Sequence, residues 1–158
     1  MDPARCTPGV SARRWFLARM TASSPFVERS IERRANHQLS GSRRVRGKDK
    51  RIAIYTDSFP YHSFVNPDQG AEFCISSIYD KLVNVGAKPI ALTNCLNFGN
   101  PENPEIMFEF KETIDGMAKI CEKLDFPIVS GNVSFYNETS GQNILPTPVF
   151  GAIGLMEH

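Results

Sequence analysis

Between Pro104 and Pro127, apolar residues fall at Met107, Phe110, Ile114, Met117, Cys121 and Leu124, at steps of 3, 4, 3, 4 and 3. An α-helix puts residues so spaced on one side. A helix this long with one apolar stripe must lie on something flat. A second stripe precedes it. Asn66-Pro67-Asp68 opens a helix with proline at its first position. Ala71, Cys74, Ile75, Ile78, Tyr79 and Leu82 then follow at steps of 3, 1, 3, 1 and 3. Gly86 supplies the stop.

Strand-like segments alternate with these helices. Ile52, Ile54 and Tyr55 start a β-rich run that reaches Asp57, and Phe59 to Val65 reads as its continuation or return. Pro89 to Thr93, Pro127 to Val129 and Thr147 to Met156 complete the set. The order β-(β)-α-β-α-β-β predicts an α/β layer with helices covering one sheet. No helix follows the last strand in this pattern, so one sheet face or edge is expected to need an outside partner.

Charge divides the chain near residue 50. Residues 1–50 hold 12 Lys and Arg against 4 Asp and Glu, whereas residues 51–158 hold 6 against 13. The first fifty residues are rich in Arg and Ser around one short apolar patch, Trp15-Phe16-Leu17. This composition predicts a disordered tail. An organellar transit peptide and a phosphate-binding basic arm are the alternatives. The expected organisation is therefore a tail over 1–50 and one folded domain over 51–158.

Cys6, Cys74, Cys95 and Cys121 form no C-x-x-C pair, and His37, His62 and His158 lie far from them. No zinc spacing results, and the cysteines read as packing residues of a reducing, cytoplasmic setting. No run approaches the roughly 18 apolar residues of a membrane span. No membrane or nucleic-acid partner is expected. Glycine and lysine never take Walker A spacing. Asp57 and Glu138 are possible acid–base or metal groups that nothing in the sequence pairs. Glu102, Glu105, Glu109 and Glu112 favour a helix N-terminus and read as a solvated face. His62, in an aromatic segment, reads as structural.

Two loops carry the chemistry. Thr93-Asn94-Cys95-Leu96-Asn97-Phe98-Gly99-Asn100-Pro101 and Ser130-Gly131-Asn132-Val133-Ser134-Phe135-Tyr136-Asn137-Glu138-Thr139 each leave a strand. Gly99 and Gly131 allow close approach of backbone to a ligand. Asn97, Asn100, Asn132 and Asn137 offer uncharged donors and acceptors, and Ser134 offers a hydroxyl, as phosphate, ribose or hydrated Mg²⁺ would use. The same residues also suit turns.

These two stretches, with Gly86 to Thr93, Pro104-Glu105, Pro146 to Val149 and Gly151, resemble the large, ammonia-using subunit of phosphoribosylformylglycinamidine synthases. The likeness is to the N-terminal domain of that subunit's second repeat and covers residues 51–158. It implies a fold like the N-terminal domain of aminoimidazole ribonucleotide synthase, a mixed four-stranded sheet with helices on one face. Such domains pair through their sheets.

The family's reaction is ATP-dependent conversion of formylglycinamide ribonucleotide to the amidine. ATP activates the formamide oxygen and ammonia from glutamine displaces the phosphate. Carried over, Asn94 and Gly131 are nucleotide contacts, Asn132 a Mg²⁺ contact and Ser134 a substrate contact. Asn94 stands where Asp is usual, and Phe135 where Leu is common. The resemblance assigns no catalytic residue here, because the family's histidine and main Mg²⁺ carboxylates lie in the first repeat. The chain is thus expected to be inactive alone. Its expected partners are formylglycinamide ribonucleotide, a glutaminase subunit or the remaining synthase domains, and a second copy through the sheet. A non-catalytic or nucleotide-binding module that pairs by its sheet is the alternative.

Overall fold

A computed structural model describes residues 39–157. Seven strands and three helices follow in the order β1 (Leu39–Arg44), β2 (Lys50–Asp57), α1 (Pro60–Val65), α2 (Pro67–Asn84), β3 (Lys88–Asn97), α3 (Pro104–Leu124), β4 (Ile128–Ser134), β5 (Glu138–Thr139), β6 (Gln142–Asn143) and β7 (Thr147–Glu157). The main sheet has five strands in the order β1-β2-β7-β3-β4, and β5 and β6 form a separate two-stranded ribbon. Strand β7 runs antiparallel to both β2 and β3, and β3 and β4 are parallel. Parallel neighbours need a long crossover, and α3 supplies it.

Alternation sorts the sheet into two faces. On β2 and β7, Ala53 and Ala152 are 1% and 3% exposed, whereas Ile54 and Ile153 are 46% and 39% exposed. The buried face packs against α2 through Ala71, Cys74, Ile75, Ile78 and Leu82, with Leu92, Leu96 and Phe150 beneath them. Helix α2 starts as expected: Asn66 Oδ1 accepts the Gln69 N–H at 3.1 Å, and proline occupies its first turn. Its predicted inner face is the one observed. No helix among the described residues is long and apolar enough to cross a membrane.

Three expectations are corrected. The sheet has five strands rather than four, because residues 39–44, placed by sequence in the basic tail, pair with β2 from Leu39↔Thr56 to Arg44↔Arg51. Strand β1 is a polar, arginine-bearing edge, the composition that keeps an edge from pairing with other chains, and so carries no apolar signal. The disorder expected of the remaining tail lies outside the described residues. Phe59 to Val65 is no strand: Pro60 starts α1, and Ser63 is buried where Gly70 of α2 leaves no room for a side chain. His62 stacks on Phe73 with ring centroids 5.1 Å apart, which fits its structural reading.

The third concerns α3. Its buried residues are Ile106, Glu109, Thr113, Gly116, Met117 and Ile120, while Met107 and Ile114 of the predicted stripe are 39% and 37% exposed. The helix is rotated because a Cβ on Gly116 would strike the backbone carbonyl of Asp68 at the start of α2. Close approach there turns the Gly116 side inward. Glu109 goes with it and is 2% exposed, not part of a solvated face.

Candidate functional site

The segments singled out by sequence as loops are in part strand: β3 runs on to Asn97 and β4 to Ser134. Asn94, Gly131, Asn132 and Ser134 therefore lie within the strands, at the carboxyl ends of a parallel pair, where open α/β sheets tend to bind ligands. Register pairs Thr93 with Ser130, Asn94 with Gly131, Cys95 with Asn132 and Asn97 with Ser134. Asn94 and Gly131 are therefore brought together. A Cβ on Gly131 would overlap the Asn94 carboxamide, so glycine is what lets that side chain lie across β4.

Asn132 is not brought to the same side. Alternation sends Asn94 and Gly131 toward the helix-covered face, and Asn132 and Ser134 toward the open one. On the open face lies a groove of about 510 Å³. Ile54, Val149 and Ile153 make its apolar part, while Thr93, Ser130 and Asn132 make its polar part. Thr93 Oγ1 and Ser130 Oγ are 2.7 Å apart and share a hydrogen bond. No charged side chain lines the groove. A bound anion would be met there by amides, hydroxyls and backbone alone.

The asparagines separate by what they already do. Asn97 donates to the carbonyls of Cys95 and Thr147, each at 3.1 Å. Asn100 Oδ1 accepts the Glu102 N–H at 2.9 Å, and Asn103 caps α3 through the Glu105 N–H at 2.9 Å. Asn143 reaches from β6 to accept the Asn100 N–H at 2.7 Å. These four hold turns. Among the described residues, the side chains of Asn94 and Asn132 make no hydrogen bond. Sequence reading passed over Asn143, whose partner lies 43 positions away.

The other candidates are engaged elsewhere. Asp57 accepts from Lys81 Nζ at 2.7 Å and from the Ser58 N–H at 2.9 Å. Glu138 lies on the exposed β5–β6 ribbon. No group of three or more His, Cys, Asp or Glu among the described residues is placed to hold a metal ion. Burial pushes the Cys74 thiol far above its ordinary range; the Asp57 charge adds to this and Lys81 offsets part of it. The thiolate is the reactive form. Cys74 is thus expected to resist a disulfide reagent at pH 8 until the chain is unfolded. Mass-spectrometric mapping checks this, and rapid native labelling of Cys74 would contradict its burial.

Residues 40–156 match the family described as AIR synthase related protein, N-terminal domain. The chain belongs to this family. The AIR synthase related domain is 51% identical over 116 residues to the phosphoribosylformylglycinamidine synthase subunit PurL of Ruegeria sp. (strain TM1040), which covers 73% of this chain and 16% of that protein. It is 39% identical over 152 residues to the same subunit of Granulibacter bethesdensis, covering 96% of this chain and 21% of the relative. Among solved structures, T. maritima PurL complexed with ATP superimposes with a TM-score of 0.68 at 28% identity, over 74% of this chain and 20% of that one. The same enzyme has been solved with FGAR. The AIR synthase related domain thus spans about a fifth or less of the length of these relatives. The TM-score shows that its fold is shared with the T. maritima structure.

Proposed function

We propose that this chain is an AIR synthase related domain of the phosphoribosylformylglycinamidine synthase reaction, providing part of a nucleotide and substrate pocket rather than a complete active centre. The observation that carries the reading is that Asn94 and Asn132, with unengaged amides at the carboxyl ends of β3 and β4, both border the groove although their side chains leave opposite faces of the sheet. In this reading Gly131 makes room for the Asn94 carboxamide, which hydrogen-bonds a nucleotide beside the β4 backbone without adding a charge. Asn132 offers one neutral oxygen to Mg²⁺. Mg²⁺ takes six oxygens in near-ideal octahedral geometry, so this amide fits as one ligand among several, with carboxylates, phosphates and waters supplying the rest. The ATP·Mg²⁺ pair would activate the formamide oxygen of formylglycinamide ribonucleotide. The Ser134 hydroxyl binds and orients that substrate. The neutral groove cannot by itself offset the charge of a transferring phosphoryl group, so turnover requires groups that other domains or a glutaminase subunit bring.

Calorimetric titration of the 158-residue chain with Mg·ATP and Mg·ADP, with and without formylglycinamide ribonucleotide, tests this. Saturable binding without phosphate release is expected. A folded chain that binds neither nucleotide would sink the reading.

A second reading is favoured by Ile54, Val129 and Ile153 on the open face, 46%, 68% and 39% exposed. An apolar sheet face of this kind suits pairing with a like sheet. A non-catalytic pairing module would sediment as a dimer and bind no nucleotide. A strictly monomeric profile would count against it.

A further inference from the structure

Charge is concentrated at one corner of the sheet. Residues 43–51 hold 6 Lys and Arg against 1 Asp, whereas residues 52–158 hold 5 against 13. The cations surround the turn between β1 and β2. There the Val45 N–H donates to the Lys50 carbonyl at 2.8 Å and the Lys48 N–H to the Val45 carbonyl at 3.2 Å, with Gly47 at φ 75° inside the turn. A concavity of about 450 Å³ opens at this turn, lined by Arg44 to Asp49. Arg44 and Arg51 stand directly opposite each other in register, which for like charges costs stability. Arg43, one residue along, leaves the opposite face. Among the described residues, Arg44 pairs with Asp49 and Lys50 with Glu157, while Arg43, Arg46, Lys48 and Arg51 form no ion pair. Protection of an edge explains charge along β1. It does not explain Arg46 and Lys48, which lie in the turn and guard no strand edge.

We infer that the end of the β1–β2 hairpin is a binding site for the phosphate backbone of a single-stranded nucleic acid, one phosphate seated in the concavity and its neighbours met by the cations on either side. Among the described residues, the exposed groups between these cations are small, Gly41, Ser42 and Gly47. A protein interface is built on apolar and aromatic anchors, whereas a nucleic-acid interface is polar and strongly positive. A flat anionic membrane could meet the cations of one sheet face only. A flexible strand can pass round the edge and meet both. The acidic remainder of the domain repels a polyanion and so confines it to the hairpin. The Arg44–Asp49 pair is largely exposed and worth little, so it yields to a phosphate, which a guanidinium grips with two N–H groups. The site shares no residue with the groove on the open face and stands independently of the nucleotide-pocket reading. It reverses the expectation from sequence that there is no nucleic-acid partner.

The test titrates the 158-residue chain with a fluorescent oligothymidylate over a range of salt concentrations. Saturable binding is expected, with log K falling against log salt at a slope of about −3, as for about four phosphates engaged on a single strand. No saturable binding overturns the inference. Replacing Arg43, Arg46 and Lys48 together by alanine should weaken binding about a hundredfold near 0.1 M salt and flatten the slope by about 2. Asp49→Asn, which frees Arg44, should tighten binding about threefold, the scale of an exposed ion pair. Arg13→Ala, Arg14→Ala and Arg19→Ala made together remove the same charge outside the described residues and should weaken binding far less. An equal or larger loss there would make the effect one of bulk charge or of the N-terminal segment, which overturns the inference. Displacement of the oligonucleotide by polyglutamate at equal charge would point to an acidic protein surface, and displacement by phosphatidylserine vesicles to a membrane; either overturns it. Where the triple hairpin variant fails to fold, NMR amide shifts of the unmodified chain decide. Shifts confined to Arg43–Arg51 on adding the oligonucleotide support the inference, and shifts elsewhere overturn it.

Discussion

Phe150→Ala is expected to destabilise the domain by about 3–5 kcal/mol, the range for removing a buried aromatic ring from a packed core. Phe150 is 0% exposed and central to the helix-covered face, paired with Asp57 on one side and Asn94 on the other. Domains of this size are stable by only about 5–15 kcal/mol, so the loss should be visible as a large fall in the urea midpoint. The matched control lies three residues along the same strand. Ile153 faces the open side and is 39% exposed, so Ile153→Ala should cost under about 1 kcal/mol, as surface substitutions usually do. Equal losses from the two substitutions would show that the open face is buried in solution.

Gly116→Ala should destabilise by about 1–3 kcal/mol, the usual scale of overpacking, although alanine is the better helix former by about 1 kcal/mol. The added methyl would strike the backbone carbonyl of Asp68, and a backbone atom cannot swing aside as a side chain can. Helices α2 and α3 would have to separate, carrying Ile106, Met117 and Ile120 away from the core. Lys119→Ala, which removes only the exposed ion pair between Lys119 and the Asp68 carboxylate, should leave the urea midpoint almost unmoved. A stabilised Gly116→Ala chain would mean that propensity, not interhelical contact, governs this position.

The same contact shows where sequence reading reached its limit. The α2 stripe read true because its partner is the flat sheet, where an apolar face meets apolar residues. The α3 stripe was displaced because its main neighbour is another helix, and Gly116 decides how closely the two approach. A glycine has no hydropathy signal to mark that role. Glu109 was carried inward by the same rotation. The proline in Phe59-Pro60 outweighed an aromatic run that suggests a strand.

At the site, the two segments that hold Asn94, Gly131, Asn132 and Ser134 were legible because runs of small and amide residues next to apolar strand patterns stand out from their surroundings. Which asparagines remain unengaged was not legible, since the Asn97 carboxamide is held by the carbonyl of Thr147, 50 positions away, and Asn143 by the Asn100 N–H, 43 positions away. Nor was it legible that Gly131 and Asn132 face opposite sides of the sheet. That follows from β4 running on to Ser134, past the Val129 at which the sequence pattern ended the strand.

By itself the sequence determined the α/β class, the existence of α2 and α3, the two polar, glycine-bearing segments and the family they resemble, because periodicity, caps and contiguous motifs are local properties of a chain. Tertiary structure decided the rest: that Leu39–Arg44 completes a five-stranded sheet, that α3 turns Gly116 and Glu109 inward, and that Asn143 reaches the Asn100 N–H. Each of these depends on contacts between segments folded against one another. Hydrogen-bond partners and close approaches of that kind exist only once the chain has folded.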